Sequence, residues 1–278
     1  SAKIEIESLV SVAQELLDSR NDLAVSLSHS GEESRQAMLS LLSVGMSAGG
    51  ARAKAVLAFN EDFTQVRSGQ VKVPDGFTHY LIKFDGVNEN NKNKETFGDP
   101  QGYGAMEYVY YLMARQCGIN MMTSRLLEEG SRRHFVTQRF DRNGNAKVHV
   151  QTLNGLAHID YKQPGSYSYA ELFATARKIG VSAKDAEELL RRLVFNIVAR
   201  NHDDHSKNFA FMLIDNKWQL SPAYDLAYSY KLGSKWVNSH WMSLNGKRDN
   251  FSREDLYSLE TLVPSFTKPK IDKIIDKT

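Results

Sequence analysis

Hydrophobic positions recur at helical spacing in several stretches of the chain and alternate at strand spacing in others. Leu9, Val12, Ala13, Leu16 and Leu17 predict an amphipathic helix over 4–17, and Met38, Leu39, Leu41 and Leu42 a second. Residues 55–59 form a short apolar run that reads as a strand. In 77–84, Tyr80, Ile82 and Phe84 share one face while Leu81 and Lys83 take the other. A helix is expected over 104–117, closed by Gly118. Met106, Val109, Met113 and Cys117 mark its buried stripe, and Glu107 lies on another face with Tyr111 and Ala114. Stretches 133–140 and 147–152 flank Asn143-Gly144, which predicts a hairpin. Ser168 with Glu171 and Ser182 with Asp185 have the spacing of helix-opening caps. The first of those helices stops at Gly180, and the second buries Leu189, Leu190, Leu193, Val194, Ile197 and Val198. Ser252 and Pro269 open two short helices near the end.

Between the helix that ends near Val198 and the apolar strand pattern 209–214 lie eight polar residues, Asn201-His202-Asp203-Asp204-His205-Ser206-Lys207-Asn208. A charged loop mounted between two buried elements is a usual place for chemistry. Asp203 precedes Asn208 by five positions, the spacing of a protein kinase's loop aspartate and its metal-binding asparagine. A second acid, Asp225, follows a strand, a turn and another strand. The plain alternative is a polar loop that caps a helix. Upstream, 43–54 is rich in small residues and glycine, which suits either a phosphate cradle or a flexible turn. Lys83, late on its strand, suits either a phosphate contact or solvent. Glu107 is placed to pair with such a lysine, and 138–142 is placed to meet an adenine.

Composition changes this picture little. The chain has 278 residues, 41% hydrophobic and 24% charged, with a net charge of +2. That excludes a global basic field for nucleic acid and a disordered chain. Cys117 is the only cysteine, so no intrachain disulfide forms, which suits a cytoplasmic protein. No apolar run approaches a membrane span and no secretory pattern opens the sequence.

Five segments together resemble the HipA-like serine/threonine kinases of bacterial toxin–antitoxin systems. They are 47–54 (SAGGARAK), 80–83 (YLIK), 138–142 (QRFDR), 203–209 (DDHSKNF) and 221–225 (SPAYD). The resemblance implies a two-lobed, protein-kinase-like α+β fold, with a small β-rich lobe over 1–145 and a mainly helical lobe over 146–278. It implies Asp203 as the base, supported by His205 and Lys207, and Asn208 and Asp225 as Mg²⁺ ligands. ATP phosphates would meet Lys83 and the loop of Ser47, Gly49, Gly50, Ala51 and Lys54, with Gln138, Phe140 and Asp141 at adenine and ribose. Ser47, or Ser43 as a fallback, would be a self-phosphorylation site that switches the enzyme off. The resemblance further implies a protein substrate such as an aminoacyl-tRNA synthetase, and restraint by a DNA-binding antitoxin. Only about forty residues precede the glycine loop, where larger members carry a β-rich subdomain; that part is expected to be a separate protein or to have been truncated. Gln138 also departs from the family's frequent Glu. Two other readings stand beside this one. They are a weak pseudokinase that serves as an antitoxin-binding module, and a metal phosphohydrolase built on His202, Asp203, His205 and Asp225.

Overall fold

The computed structural model describes residues 54–86 and 101–278. The two helices expected before residue 54 lie outside these residues. So does most of the glycine-rich stretch, with Ser43, Ser47, Gly49, Gly50 and Ala51. The described chain separates into two compact units. The first takes residues up to 108 and 122–147, and the second takes 109–121 and 148–278. The division is therefore not a single cut near residue 145.

The first unit is built on a five-stranded antiparallel sheet. Its strands are β1 (Lys54–Asn60), β2 (Val66–Ser68), β3 (Phe77–Lys83), β4 (Ser124–Glu129) and β5 (Arg132–Gln138), in the order β2-β1-β3-β5-β4. β1 is nearly continuous apolar chain, and Ala55, Leu57, Ala58 and Phe59 are wholly buried. Helix α1 (Tyr103–Gln116) begins in this unit. Its start is fixed by Asp85, whose carboxylate accepts the N–H groups of Gly102 (2.8 Å), Gly104 (3.5 Å) and Arg133 (3.3 Å). Gly104 lies so close to β5 that an added Cβ would stand 1.8 Å from the Arg133 carbonyl oxygen. Only glycine fits there.

The face of α1 that is buried is the one carrying Glu107, Tyr111 and Ala114; Val109, expected in the apolar stripe, is 51% exposed. Asp85 and Gly104 decide this by pinning the first turn to β5, which rotates the polar-looking face inward. The long hairpin expected around Asn143-Gly144 is also different. Only β6 (Arg142–Asn143) and β7 (Ala146–Lys147) pair there. β5 instead pairs with β3 and β4, and β8 (His149–Thr152) pairs with β9 in the second unit.

That second unit holds a three-stranded antiparallel sheet in the order β10-β9-β8, with β9 at Ala210–Ile214 and β10 at Lys217–Leu220. Helices α2 (Leu153–Ala157), α3 (Tyr169–Lys178), α4 (Ala183–Val198), α5 (Arg253–Tyr257) and α6 (Lys268–Lys277) belong to the same unit. Ser168 and Glu171 form a reciprocal capping box on α3. At α4, Ser182 caps the Asp185 N–H without the reciprocal backbone bond. Leu189, Leu190, Leu193 and Val194 of α4 join Tyr169, Leu172, Phe173, Phe209, Phe211 and Phe266 in one core. Each such side chain stabilises by about 1.5–3 kcal/mol on burial. Val198, expected in the core, is 60% exposed, because the helix ends there and Ala199 caps it.

Gly104→Ala should destabilise the protein by about 1–3 kcal/mol, the cost of overpacking against backbone that cannot move aside. Denaturant titration followed by circular dichroism measures it; an unchanged midpoint would show that α1 is free to shift away from β5.

Candidate active site

In the first unit, β3 delivers Lys83 and α1 delivers Glu107. Their side chains form an ion pair at 2.5 Å, with exposures of 11% and 4%. A lysine held this way has its ammonium aimed while water is largely excluded. Lys54 pairs with Lys83 across the β1–β3 ladder, so the last residue of the glycine-rich stretch stands beside the ion pair's strand position. Gln138 ends β5 opposite Tyr80, and its N–H donates to the Thr123 carbonyl. The Asp141 carboxylate is gripped by Arg139 through two bonds (2.8 and 2.6 Å) and by Arg142 through one (2.8 Å). Burial raises its pKa, but the bonds and charges of the two arginines outweigh that and hold it low.

In the second unit, α4 feeds the 201–208 loop, which passes through a short 3₁₀ turn, Ser206–Asn208, into β9. The two adjacent acids differ sharply. Asp203 keeps 45% of its side chain exposed, with His205 Nε2 at 3.6 Å from its carboxylate. Asp204 is fully buried, and its carboxylate accepts from Tyr169 Oη (2.5 Å), His240 Nδ1 (2.9 Å) and the Trp241 N–H (2.7 Å). Only Asp203 can meet a substrate. Asn208 Nδ2 donates to the Asp203 carbonyl oxygen (2.8 Å), leaving the amide's oxygen as the end suited to a cation. Asp225 sits in the left-handed region, φ 56°, a conformation that Asp and Asn adopt more readily than most side chains.

The two candidate cation ligands are tied together by residues the sequence reading passed over. Tyr224 Oη donates to the Lys207 carbonyl oxygen at 2.6 Å, fixing the residue before Asp225 to the residue before Asn208. Burial, aided by the Asp225 charge, drives the Tyr224 pKa upward, so it remains a donor. Buried Arg192 of α4 donates to the Ser221 carbonyl (2.7 Å) and secures the start of the 221–225 segment. Tyr161 is a further omission. The Lys207 ammonium lies 3.2 Å from the centre of its ring, and the same ring stands edge-on to His205 at 6.3 Å. A capping or packing pattern reveals none of these contacts.

One amide oxygen and one carboxylate are hard ligands of the kind Mg²⁺ takes alongside phosphate oxygens and water. Among the described residues, no group of three or more His, Cys, Asp or Glu side chains could hold a metal by itself. The His202 ring, which a phosphohydrolase would need as a ligand, is buried and lies tilted against the His240 ring, with centroids 4.1 Å apart.

The family model for the HipA-like C-terminal domain matches residues 46–278. The chain belongs to this family. Its fold is also that of HipA: a solved complex of Shewanella oneidensis MR-1 HipA with HipB and operator DNA matches with a TM-score of 0.65, at 16% identity. That match covers 95% of this chain and 61% of the other. Two curated proteins of Sinorhizobium fredii are similar over shorter stretches. "Putative kinase Y4mE" is 27% identical over 124 residues, 41% of this chain and 30% of that protein. "Putative kinase Y4dM" is 34% identical over 93 residues, 32% of this chain and 22% of that protein. The chain thus matches less than a third of the length of each of these two relatives. As a HipA-like domain with kinase-named relatives, it has support for a kinase-type function. No helix among the described residues is long and apolar enough to cross a membrane.

Burial, reinforced by His240, drops the His202 pKa to about 4, and burial with Arg142 lowers that of His79. Between pH ~6.5 and ~4 the unfolded chain therefore binds protons that the folded one refuses, and stability falls as pH falls through that window. His202→Asn should flatten the pH dependence of the denaturant midpoint between pH 6.5 and 4.5. Identical slopes for the two proteins would place the His202 ring in contact with water.

Proposed function

We propose that this chain is an ATP- and Mg²⁺-dependent serine/threonine protein kinase and acts as the toxin of a toxin–antitoxin pair. The observation that carries the reading is the linkage in the second unit. Asp203 is bonded to Asn208, Lys207 precedes Asn208, and Tyr224 bonds Lys207 beside Asp225. Base, amide and second acid are thereby held as one set. Phosphoryl transfer asks chiefly for positioning and charge neutralisation, which such a set supplies.

In this reading the half-exposed Asp203 carboxylate accepts the proton of a Ser or Thr hydroxyl as its oxygen attacks the γ-phosphorus. The bond from that phosphorus to the β–γ bridging oxygen breaks, and ADP leaves. Asn208 and Asp225 would hold Mg²⁺, which when bound offsets the negative charge of the phosphate oxygens. Lys83, aimed by its ion pair with Glu107, orients the phosphates of ATP. Lys207 and His205 support the transferred group, with Tyr161 packed against both. The backbone of Gln138 and Phe140 serves the adenine. Asp141 reaches the ribose only by relaxing its grip on Arg139 and Arg142.

The biological part rests on the family. HipA of Shewanella is seen with HipB and operator DNA, which supports a DNA-binding antitoxin as partner here. A translation component such as an aminoacyl-tRNA synthetase is the proposed substrate, in the cytoplasm. Self-phosphorylation at Ser47 or Ser43 would add roughly −1.5 to −2 charges beside the ATP phosphates and empty the site. Intact Lys83, Glu107, Asp203, Asn208 and Asp225 favour this reading over a pseudokinase that only binds an antitoxin.

Asp203→Asn should lower phosphate transfer by at least about a hundredfold, some 2.7 kcal/mol in the barrier, with Mg-ATP affinity within a few-fold. Radiolabelled ATP with cell extract reads the first and calorimetry the second; transfer at the wild-type rate would remove Asp203 from the role. Asp225→Asn should weaken ATP binding only when Mg²⁺ is present. Equal ATP affinity with and without Mg²⁺ in the unaltered protein would rule out the metal assignment.

A further inference from the structure

The phosphate-transfer reading uses Asp203 and leaves its neighbour unexplained. Asp204 is 1% exposed, and a carboxylate without water is costly unless its lone pairs are filled. Three donors reach its two oxygens, and they come from separate places: Tyr169 on α3, the His240 ring and the Trp241 backbone. The Trp241 N–H also reaches the His202 carbonyl oxygen at 3.3 Å, so the residues on both sides of Asp203 converge on one amide. Behind Tyr169 the network continues. Asn196 Nδ2 of α4 donates to Tyr169 Oη (3.2 Å), and Asn201 Nδ2 donates to Asn196 Oδ1 (2.9 Å). Asn196 and Asn201 are each 2% exposed.

We propose that Asp204, through its bonds to Tyr169, His240 and Trp241, is the positioning residue that sets the direction of Asp203. The inference rests on the kinase reading for its activity readout but not for its geometry. Asp204 is locked inward while its neighbour Asp203 keeps 45% of its side chain exposed, so the anchor at 204 fixes the backbone from which the side chain at 203 emerges. A buried carboxylate held by three donors from separate elements resists slippage of the loop. Asp204 touches no substrate; it acts through the backbone it shares with Asp203.

Tyr169→Phe tests this with the least disturbance, since it removes one hydroxyl and keeps a wholly buried ring packed on Phe209. Its kcat should fall about tenfold, with the KM for ATP within about twofold, because only orientation is lost. Asp204→Asn should fall further, and the double variant no further than Asp204→Asn alone, because both act through one carboxylate. Assays are run well below each variant's melting temperature. Unchanged kcat in Tyr169→Phe, or losses that multiply in the double variant, would overturn the proposal. A second measurement needs no activity. Amide hydrogen exchange at Asn208, whose N–H is bonded to the His205 carbonyl oxygen, should accelerate about tenfold in Tyr169→Phe while strand β9 does not change. Equal exchange in variant and wild type overturns the anchor even if the wild-type protein transfers no phosphate, whereas faster exchange in a protein without transfer supports the anchor and rejects the kinase reading. Should Asp204→Asn fail to fold, Tyr169→Phe alone still decides through both measurements.

Discussion

A buried carboxylate is costly unless donors reach both of its oxygens, and much of the second unit follows from that demand at Asp204. Tyr169 can donate because the capping box at Ser168 starts α3 at that residue. His240 and Trp241 can donate because the irregular segment before residue 250 is closed on itself between His240 and Arg248 and bonded through Ser243 to Tyr167 and Tyr169. The hydrophobic core beneath, from Leu189 to Phe266, supplies stiffness but no direction. Direction comes from polar atoms with fixed geometry. A core of this size could stabilise several loop conformations, and the filled carboxylate selects one of them.

The first unit meets a similar demand by different means. Its strands are apolar enough to form a sheet under many registers, yet Lys83 and Glu107 must meet within a single ion pair. Asp85 lies two residues after Lys83, and it binds the N–H groups at the start of the helix that bears Glu107. His134 accepts the Asp85 N–H at its Nδ1, which leaves Nε2 to donate to Glu129. The lysine's strand and the glutamate's helix are thus joined by a buried acid, and Gly104 sets how closely the helix can approach.

Periodicity and turn chemistry revealed most elements of the second unit, because its helices carry strong caps and its apolar stripes are regular. The polar loop stood out for the same reason: Asp203 and Asn208 interrupt two long apolar patterns. The failures have different physical causes. Val109 is apolar yet exposed and Glu107 is charged yet buried, because tertiary anchors chose the helix face against its average hydrophobicity, whereas Val198 is exposed because its helix ends there. The Asn143-Gly144 turn was read correctly as a turn, but its flanking strands found partners elsewhere, which local sequence cannot register. Tyr161, Tyr169 and Arg192 were invisible as site residues, and Tyr224 stood only as one position of the 221–225 segment, with no role of its own. Each is an ordinary aromatic or basic side chain whose role depends on one partner far away in sequence.

The left-handed backbone at Asp225 has an evolutionary consequence. Few residues are at ease in that conformation, and Asn is among them. The aspartate codons become asparagine codons by a single base change. A copy of this gene could therefore lose the carboxylate in one mutational step while keeping the backbone conformation and the bond from Tyr224 to Lys207. Silenced but fully folded relatives are accordingly close at hand for selection, ready to keep a binding partner after the chemistry has gone.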